Sequence, residues 1–276
     1  MLSKPKKRSR IMADMAAPAL EVSQVTMDFG GLRAVERVDL VVRPRETVAL
    51  IGPNGAGKTT LFNCITGIYS PTQGRIQLTA ADGRVMALKG LKPNQVTECG
   101  IARTFQNIRL FQNMTVLENV MIGRHCRLRS GIFSAILRTS AMRREEAQVV
   151  KESYRLLQRF GLARHVNEFA KNLPYGAQRR LEIARAMATE PSVLLLDEPA
   201  AGMNAQETQE LVTMINQLKA SEGLAILLIE HDMRLVMQLS DRIYVMDYGK
   251  LIARGTPQEI SRDPAVIKAY LGEEEQ

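Results

Sequence analysis

Residues Gly52-Pro53-Asn54-Gly55-Ala56-Gly57-Lys58-Thr59-Thr60 constrain the fold more than any other stretch of this chain. They follow residues 46–51, which read as a buried strand, and precede residues 61–67, which read as the start of a helix. A strand, a glycine turn and a helix in that order belong to an α/β unit built on a parallel sheet. The G-x-x-x-x-G-K-T spacing also assigns chemistry. The glycines let successive backbone N–H groups turn inward on phosphate oxygens, at the positive end of a helix dipole. Lys58 brings a point charge to the outer phosphates, and Thr59 brings a hydroxyl to Mg²⁺. The ligand expected here is a nucleoside triphosphate.

The rest of the chain is patterned consistently with that unit. Residues 20–29 and 38–42 alternate like strands of an antiparallel sheet, and 75–78 and 84–87 read as short strands around a turn at 80–83. From 116 to 189 the pattern is helical. Within it, 143–160 places Val149, Val150, Ser153, Tyr154, Leu157 and Phe160 on one face at 3/4 spacing. Strands return at 192–197, 225–229 and 241–247, with helices at 205–221 and 233–239 between them. Strand–helix alternation around the loop predicts a parallel-sheet α/β core with an inserted helical lobe, and no internal repeat doubles it.

Composition narrows the setting. Hydrophobic residues at 45% and charged residues at 24% suit a globular domain with a real core. The longest apolar runs, 193–196 and 224–229, are strand-sized, well short of the ~18 residues of a membrane helix. Any work at a membrane is therefore expected to run through partners. The net charge of +8 is partly local, because Lys4, Lys6, Lys7, Arg8 and Arg10 crowd the first dozen residues. Residues 1–19 read as a disordered basic extension, with Met12 and Met15 as alternative starts, and they lack the apolar core of a secretory signal. The remaining excess has no aromatic interleaving of the kind that stacks bases, so no nucleic-acid partner is expected; anionic lipid headgroups account for it equally well. Cys64, Cys99 and Cys126 show no C-x-x-C spacing, which suits a reduced cytoplasmic setting, and Cys64 reads as a small core residue. His125 and His165 read as ordinary residues of the helical lobe, and no structural metal site is expected.

A second constellation adds reaction chemistry. Leu194-Leu195-Leu196-Asp197-Glu198 is an apolar strand ending in two carboxylates. Asp197 is placed to hold Mg²⁺ and Glu198 to polarise an attacking water. A buried strand with a polar end is the plain alternative, weakened by the phosphate loop upstream. His231 follows the apolar strand 225–229, and strand ends on one edge of a parallel sheet converge at a crevice, where an imidazole can reach a γ-phosphate.

In this order and spacing the chain resembles an ABC-type ATPase, over residues 20–271. The resemblance implies a P-loop NTPase cassette with a RecA-like parallel-sheet core, an N-terminal antiparallel β subdomain and an inserted α-helical subdomain at about 107–190. Residues 272–276 remain as an acidic tail. Thr104-Phe105-Gln106-Asn107 matches the Q-loop, which implies that Gln106 approaches Mg²⁺ and the attacking water. Phe29 matches the aromatic that stacks on adenine; a core aromatic is its plain alternative. Asn172-Leu173-Pro174-Tyr175-Gly176-Ala177-Gln178-Arg179-Arg180 matches the signature segment, so Tyr175, Gly176, Ala177 and Gln178 would face a nucleotide held by a second ATPase subunit. Two departures stand out: Pro174-Tyr175 replaces the usual Ser-Gly, and Asn204 replaces the usual aspartate of the D-loop.

The segments 173–176, 180–185, 198–202, 104–111 and 124–144 resemble the longer of the paired ATPases of branched-chain amino-acid importers. That resemblance implies a different but homologous ATPase partner, two membrane permeases and, indirectly, a substrate-binding protein. It also implies ATP and Mg²⁺ as cofactors and a peripheral place on the cytoplasmic face of the inner membrane. Residues 108–113 and 128–137 are candidate permease contacts, with Gly131, Ile132 and Phe133 foremost. Exporter ATPases, importers of amides, urea or aromatic compounds, and soluble ABC-type ATPases acting on ribosomes or DNA stay open as alternatives.

Overall fold

A computed structural model describes residues 17–80, 82–127 and 140–271. Two sheets organise the buried apolar residues. The first is four-stranded and antiparallel in the order β2-β1-β4-β5, from β1 (Leu20–Phe29), β2 (Leu32–Val42), β4 (Gln73–Thr79) and β5 (Val85–Ala87). The second is six-stranded, in the order β10-β9-β3-β8-β7-β6. It comprises β3 (Thr47–Ile51), β6 (Ile101–Arg103), β7 (Val193–Asp197), β8 (Ala225–Ile229), β9 (Arg242–Asp247) and β10 (Lys250–Gly255). Its pairings are parallel except for the β9–β10 hairpin.

The parallel strands are buried on both faces, which is why they read as unbroken apolar runs. Successive side chains point to opposite faces. Val193 and Leu195 of β7, with Leu227 and Ile229 of β8, face the core shared with the antiparallel sheet and α1 (Lys58–Ile65). Leu194, Leu196, Ile226 and Leu228 face the opposite core, under the helical layer. That layer includes α3 (Val116–Arg124), α4 (Ser140–Arg159), α5 (Tyr175–Met187), α6 (Ala205–Glu222) and α7 (Met233–Leu239), following α2 (Pro93–Cys99) in the chain. Helices α8 (Pro257–Ile260) and α9 (Pro264–Leu271) bury Ile260 and Val266 against β3 and β9.

Several expectations need correction. β2 begins at Leu32, six residues earlier than the alternation suggested, because a tight turn at Gly30 (φ +58°) returns the chain at once and Arg33 and Arg37 hide the strand pattern. The helix after the phosphate loop starts at Lys58 itself, not at 61, and ends at Ile65. On α4 and its extension, Val149, Ser153, Leu157 and Phe160 are buried, whereas Val150 and Tyr154 are exposed. The apolar stripe is therefore narrower than 3/4 spacing implied. Ala19, just ahead of β1, is fastened to the sheet: its N–H donates to Val42 O and its carbonyl accepts from Thr79 N. The strands β6 and β10 and the helices α2, α8 and α9 carry no sequence pattern long enough to have been expected. Residues 1–16, 128–137 and 272–276, expected to form a basic extension, a permease contact and an acidic tail, lie outside the described residues.

Candidate functional site

Four adjacent strands, β3, β8, β7 and β6, end on the same edge of the parallel sheet, and each delivers part of the site. From β3 the chain enters the phosphate loop. Gly52 sits at φ +145°, and a Cβ there would lie 2.0 Å from Met246 O of β9. Gly57, at φ +96°, caps α1 with a would-be Cβ 2.4 Å from Ala34 O of β2. Only glycine fits either place, since both the dihedral and the space exclude a side chain. Ala56 and Pro53 are buried, while Asn54, Gly55 and Thr59 are exposed and Thr60 is half-buried. Lys58 Nζ donates to Gly52 O at 2.6 Å and to Pro53 O at 2.7 Å, so its ammonium lies within the curl of its own loop.

β7 delivers Asp197 and then Glu198, whose φ of +46° is a left-handed conformation that costs a non-glycine residue about 1 kcal/mol or more. The Glu198 N–H still donates to Ile229 O at 2.9 Å, tying the turn to β8. β8 delivers His231, and β6 leads to Gln106. These three side chains meet: Gln106 Nε2 donates to Glu198 Oε2 at 2.7 Å, and His231 Nε2 lies 2.9 Å from Glu198 Oε1. A carboxylate held between an amide and an imidazole is oriented to accept a proton from a water at the sheet edge.

Residues that the sequence reading passed over hold this cluster in place. Arg103, the last residue of β6, forms a buried ion pair with Asp197 Oδ2 at 2.7 Å and donates to Asn63 Oδ1 at 2.7 Å. Its guanidinium lies over the rings of Phe62 and Phe105. Arg179 of α5, fully buried, donates to Phe105 O at 2.7 Å, Gln106 O at 2.8 Å and Glu182 Oε2 at 2.8 Å. Glu182 Oε1 in turn accepts from Phe105 N and Arg109 N. The segment carrying Gln106 is thus fastened to α5 by one buried ion pair. The only sequence signal was an Arg and a Glu at i, i+3 on the face of α5 that also carries Ile183, a spacing usually read as a surface pair.

Phe29, at the end of β1, is partly exposed and packs edge-on against Tyr69 at 5.2 Å between centroids. Its ring is held by Tyr69, beyond the end of α1, and remains open to a planar ligand on its exposed side. Tyr175 is exposed, whereas Gly176 and Ala177 are buried and Gln178 is half-buried. Gln178 Nε2 donates to Leu173 O at 2.9 Å, which closes the turn ahead of α5. A Cβ on Gly202 would lie 3.2 Å from the Tyr175 ring, and one on Gly176 would lie 2.4 Å from Glu207 Oε1. The 175–178 segment is therefore packed on the 202–207 segment. Asn204 is the N-cap of α6: its Oδ1 accepts from Glu207 N at 2.9 Å while Glu207 Oε2 accepts from Asn204 N at 3.1 Å. An aspartate would cap equally well, so asparagine at 204 keeps the cap while removing a charge.

Pro174 occupies the N-cap of α5 with φ −55° and ψ 152° and provides no capping hydrogen bond. Serine tolerates those dihedrals and can accept the Ala177 N–H. Pro174→Ser is expected to stabilise the fold by about 1 kcal/mol, raising the melting temperature by about 2–4 °C, with turnover kept or slightly raised. A fall in melting temperature would mean that the rigid proline ring, not a missing cap, is what this turn needs.

His165 stands outside the cluster, with its Nδ1 2.9 Å from Glu168. Cys64 is buried in α1, and burial pushes its thiol up to about 11, in keeping with a small core residue. No described helix is long and apolar enough to cross a membrane.

The family described as "ABC transporter" matches residues 35–201, and that described as "Branched-chain amino acid ATP-binding cassette transporter" matches residues 250–276. The high-affinity branched-chain amino acid transport ATP-binding protein LivG of Salmonella typhimurium is 52% identical over 259 residues, 94% of this chain and 100% of that one. BraF of Pseudomonas aeruginosa, a protein of the same description, is 47% identical over the same shares. Among solved structures, the ADP conformation of MJ1267, an ATP-binding cassette of an ABC transporter, superposes with a TM-score of 0.78 at 29% identity, covering 93% of this chain and 100% of that chain.

Proposed function

The chain belongs to the ABC transporter ATP-binding family, and from that premise we propose that it hydrolyses ATP to drive uptake of branched-chain or related hydrophobic amino acids through membrane permease partners. The observation that carries the hydrolytic reading is Glu198 held between Gln106 and His231 at the sheet edge, beside the phosphate loop. The substrate class rests on full-length similarity to LivG and BraF.

In this reading the N–H groups of residues 52–60 cradle the phosphates, Lys58 turns from its loop carbonyls to the outer phosphates, and Phe29 stacks on the adenine. The Thr59 hydroxyl, an Asp197 oxygen and the Gln106 amide oxygen form an all-oxygen donor set of the kind Mg²⁺ takes. Bound there, Mg²⁺ would neutralise charge developing on the phosphates. Glu198 orients a water and takes up its proton, while His231 steadies the carboxylate from the other side. Tyr175, Gly176, Ala177 and Gln178 would complete the nucleotide site of a second ATPase subunit. Loss of the bridging γ-phosphate then reopens the pair, a shift of population driven by the ligand.

A groove of about 410 Å³ beside the Gln106 segment is the favoured seat for a permease segment. It is lined by Phe111, Ile122, Cys126, Glu182 and Arg185 among others, and Phe111 and Ile122 expose apolar surface to it. The test is to isolate tagged Glu198→Gln from native membranes with MgATP. Co-purification of two permeases and a second ATPase is expected. Ribosomal or DNA-bound partners with no membrane protein would overturn the importer reading.

A further inference from the structure

Glu230 sits between the last residue of β8 and His231 and is only 4% exposed. Both of its carboxylate oxygens are engaged by backbone N–H groups. Oε1 accepts from Ala200 at 3.0 Å, and Oε2 accepts from His231 at 3.0 Å and, more distantly, from Asp232 at 3.5 Å. One side chain thus joins two loops that leave neighbouring strands. Its burial, together with the nearby charge of Glu198, pushes its pKa up, while the three N–H groups oppose that shift. A buried charge is costly, and an apolar residue here would instead leave the Ala200 and His231 donors without partners.

We propose that Glu230 is a positioning residue that braces His231 against Glu198 and links this pair to the loop 199–202. The connections close a ring. Glu198 meets the His231 imidazole, His231 N meets Glu230, Glu230 meets Ala200 N, and Ala200 lies two residues beyond Glu198, where Ala201 N donates back to Glu198 O at 3.2 Å. With the ring closed, the imidazole is held at one distance from the Glu198 carboxylate. The ring also reaches outward, because Gly202 packs on the Tyr175 ring. A displacement at His231 is therefore transmitted to the segment expected to face the partner's nucleotide. The proposal rests on the reading of Glu198 and His231 as the hydrolytic pair.

The test uses the full chain with MgATP. Glu230→Gln keeps the shape but sets an amide NH₂ against one of the N–H donors. Its kcat is expected to fall about 10- to 100-fold, the effect of losing a buried hydrogen bond to a charged group. ATP affinity should stay within about twofold, because the phosphate loop is untouched. Amide exchange should accelerate at 199–202 and 230–232 but not within β7 or β8. If Gln is not tolerated, Glu230→Asp, which withdraws the carboxylate by one methylene, should give the same separation of kcat from affinity. The deciding comparison is with His231→Ala: a brace acting through His231 adds little further loss in the double variant, whereas multiplicative losses would overturn the proposal. Full turnover in His231→Ala alone would instead remove the hydrolytic reading, a distinct result that takes the proposal with it.

Discussion

Glu198→Gln should reduce ATP turnover by about 10²- to 10⁴-fold, the usual contribution of a positioned general base, while MgATP binding is retained. The separation follows from where the interactions sit. In the proposed binding mode the nucleotide is held by the backbone N–H groups of the phosphate loop and by Lys58, whose ammonium hydrogen-bonds to Gly52 O and Pro53 O and not to Glu198. The carboxylate instead meets Gln106 and His231. Glutamine preserves the volume and one acceptor oxygen but cannot take up a proton. Phosphate release measured beside nucleotide retention resolves the two effects, and retained nucleotide should hold two subunits together on size-exclusion chromatography. Wild-type turnover in this variant would remove Glu198 from the reaction and leave a purely organising role for the cluster.

Arg179→Met is expected to destabilise the fold by about 3–5 kcal/mol, because it abandons the Glu182 carboxylate in a buried site. At this size that corresponds to a fall in melting temperature of about 6–20 °C. The carbonyls of Phe105 and Gln106 lose their donors in the same step. Turnover should therefore drop beyond what stability explains, since Gln106 would no longer be held against Glu198. The double variant Arg179→Met, Glu182→Leu separates these effects. Replacing the whole ion pair by apolar groups should recover most of the stability, because the desolvation cost of both charges disappears. It should not recover turnover, because the backbone of 105–109 stays unfastened. Unchanged melting in the single variant would mean that the buried pair contributes nothing net to the fold.

The legible part of this protein was the part written in contiguous residues. The phosphate loop, the apolar strands β3, β7 and β8, and the carboxylates at the end of β7 each carry their reason locally, in spacing, hydrophobic run or terminal charge. Helices α6 and α7 were equally plain, since each is long or regular enough to show its buried face. The elements missed were short or two-sided. β6 has only three residues, too few for a period. On α4, the chain spacing could not say that Val150 and Tyr154 turn outward, because that depends on how α4 rests on its neighbours.

The residues that support the site were illegible for a different reason. Arg103, Arg179, Glu182 and Glu230 are charged, and an isolated charge in a sequence is ordinarily a solvated surface group. Their burial becomes tolerable only because a partner distant along the chain neutralises or hydrogen-bonds them: Asp197 for Arg103, Phe105 and Gln106 for Arg179, Ala200 for Glu230. By itself, then, the sequence determined the glycine loop after β3, the α/β class and the pair of carboxylates at the end of β7, since these follow from local backbone and side-chain chemistry. Only the tertiary structure decided how those groups are held against one another, because parallel strands that lie far apart in sequence become neighbours solely through the order in which the sheet assembles.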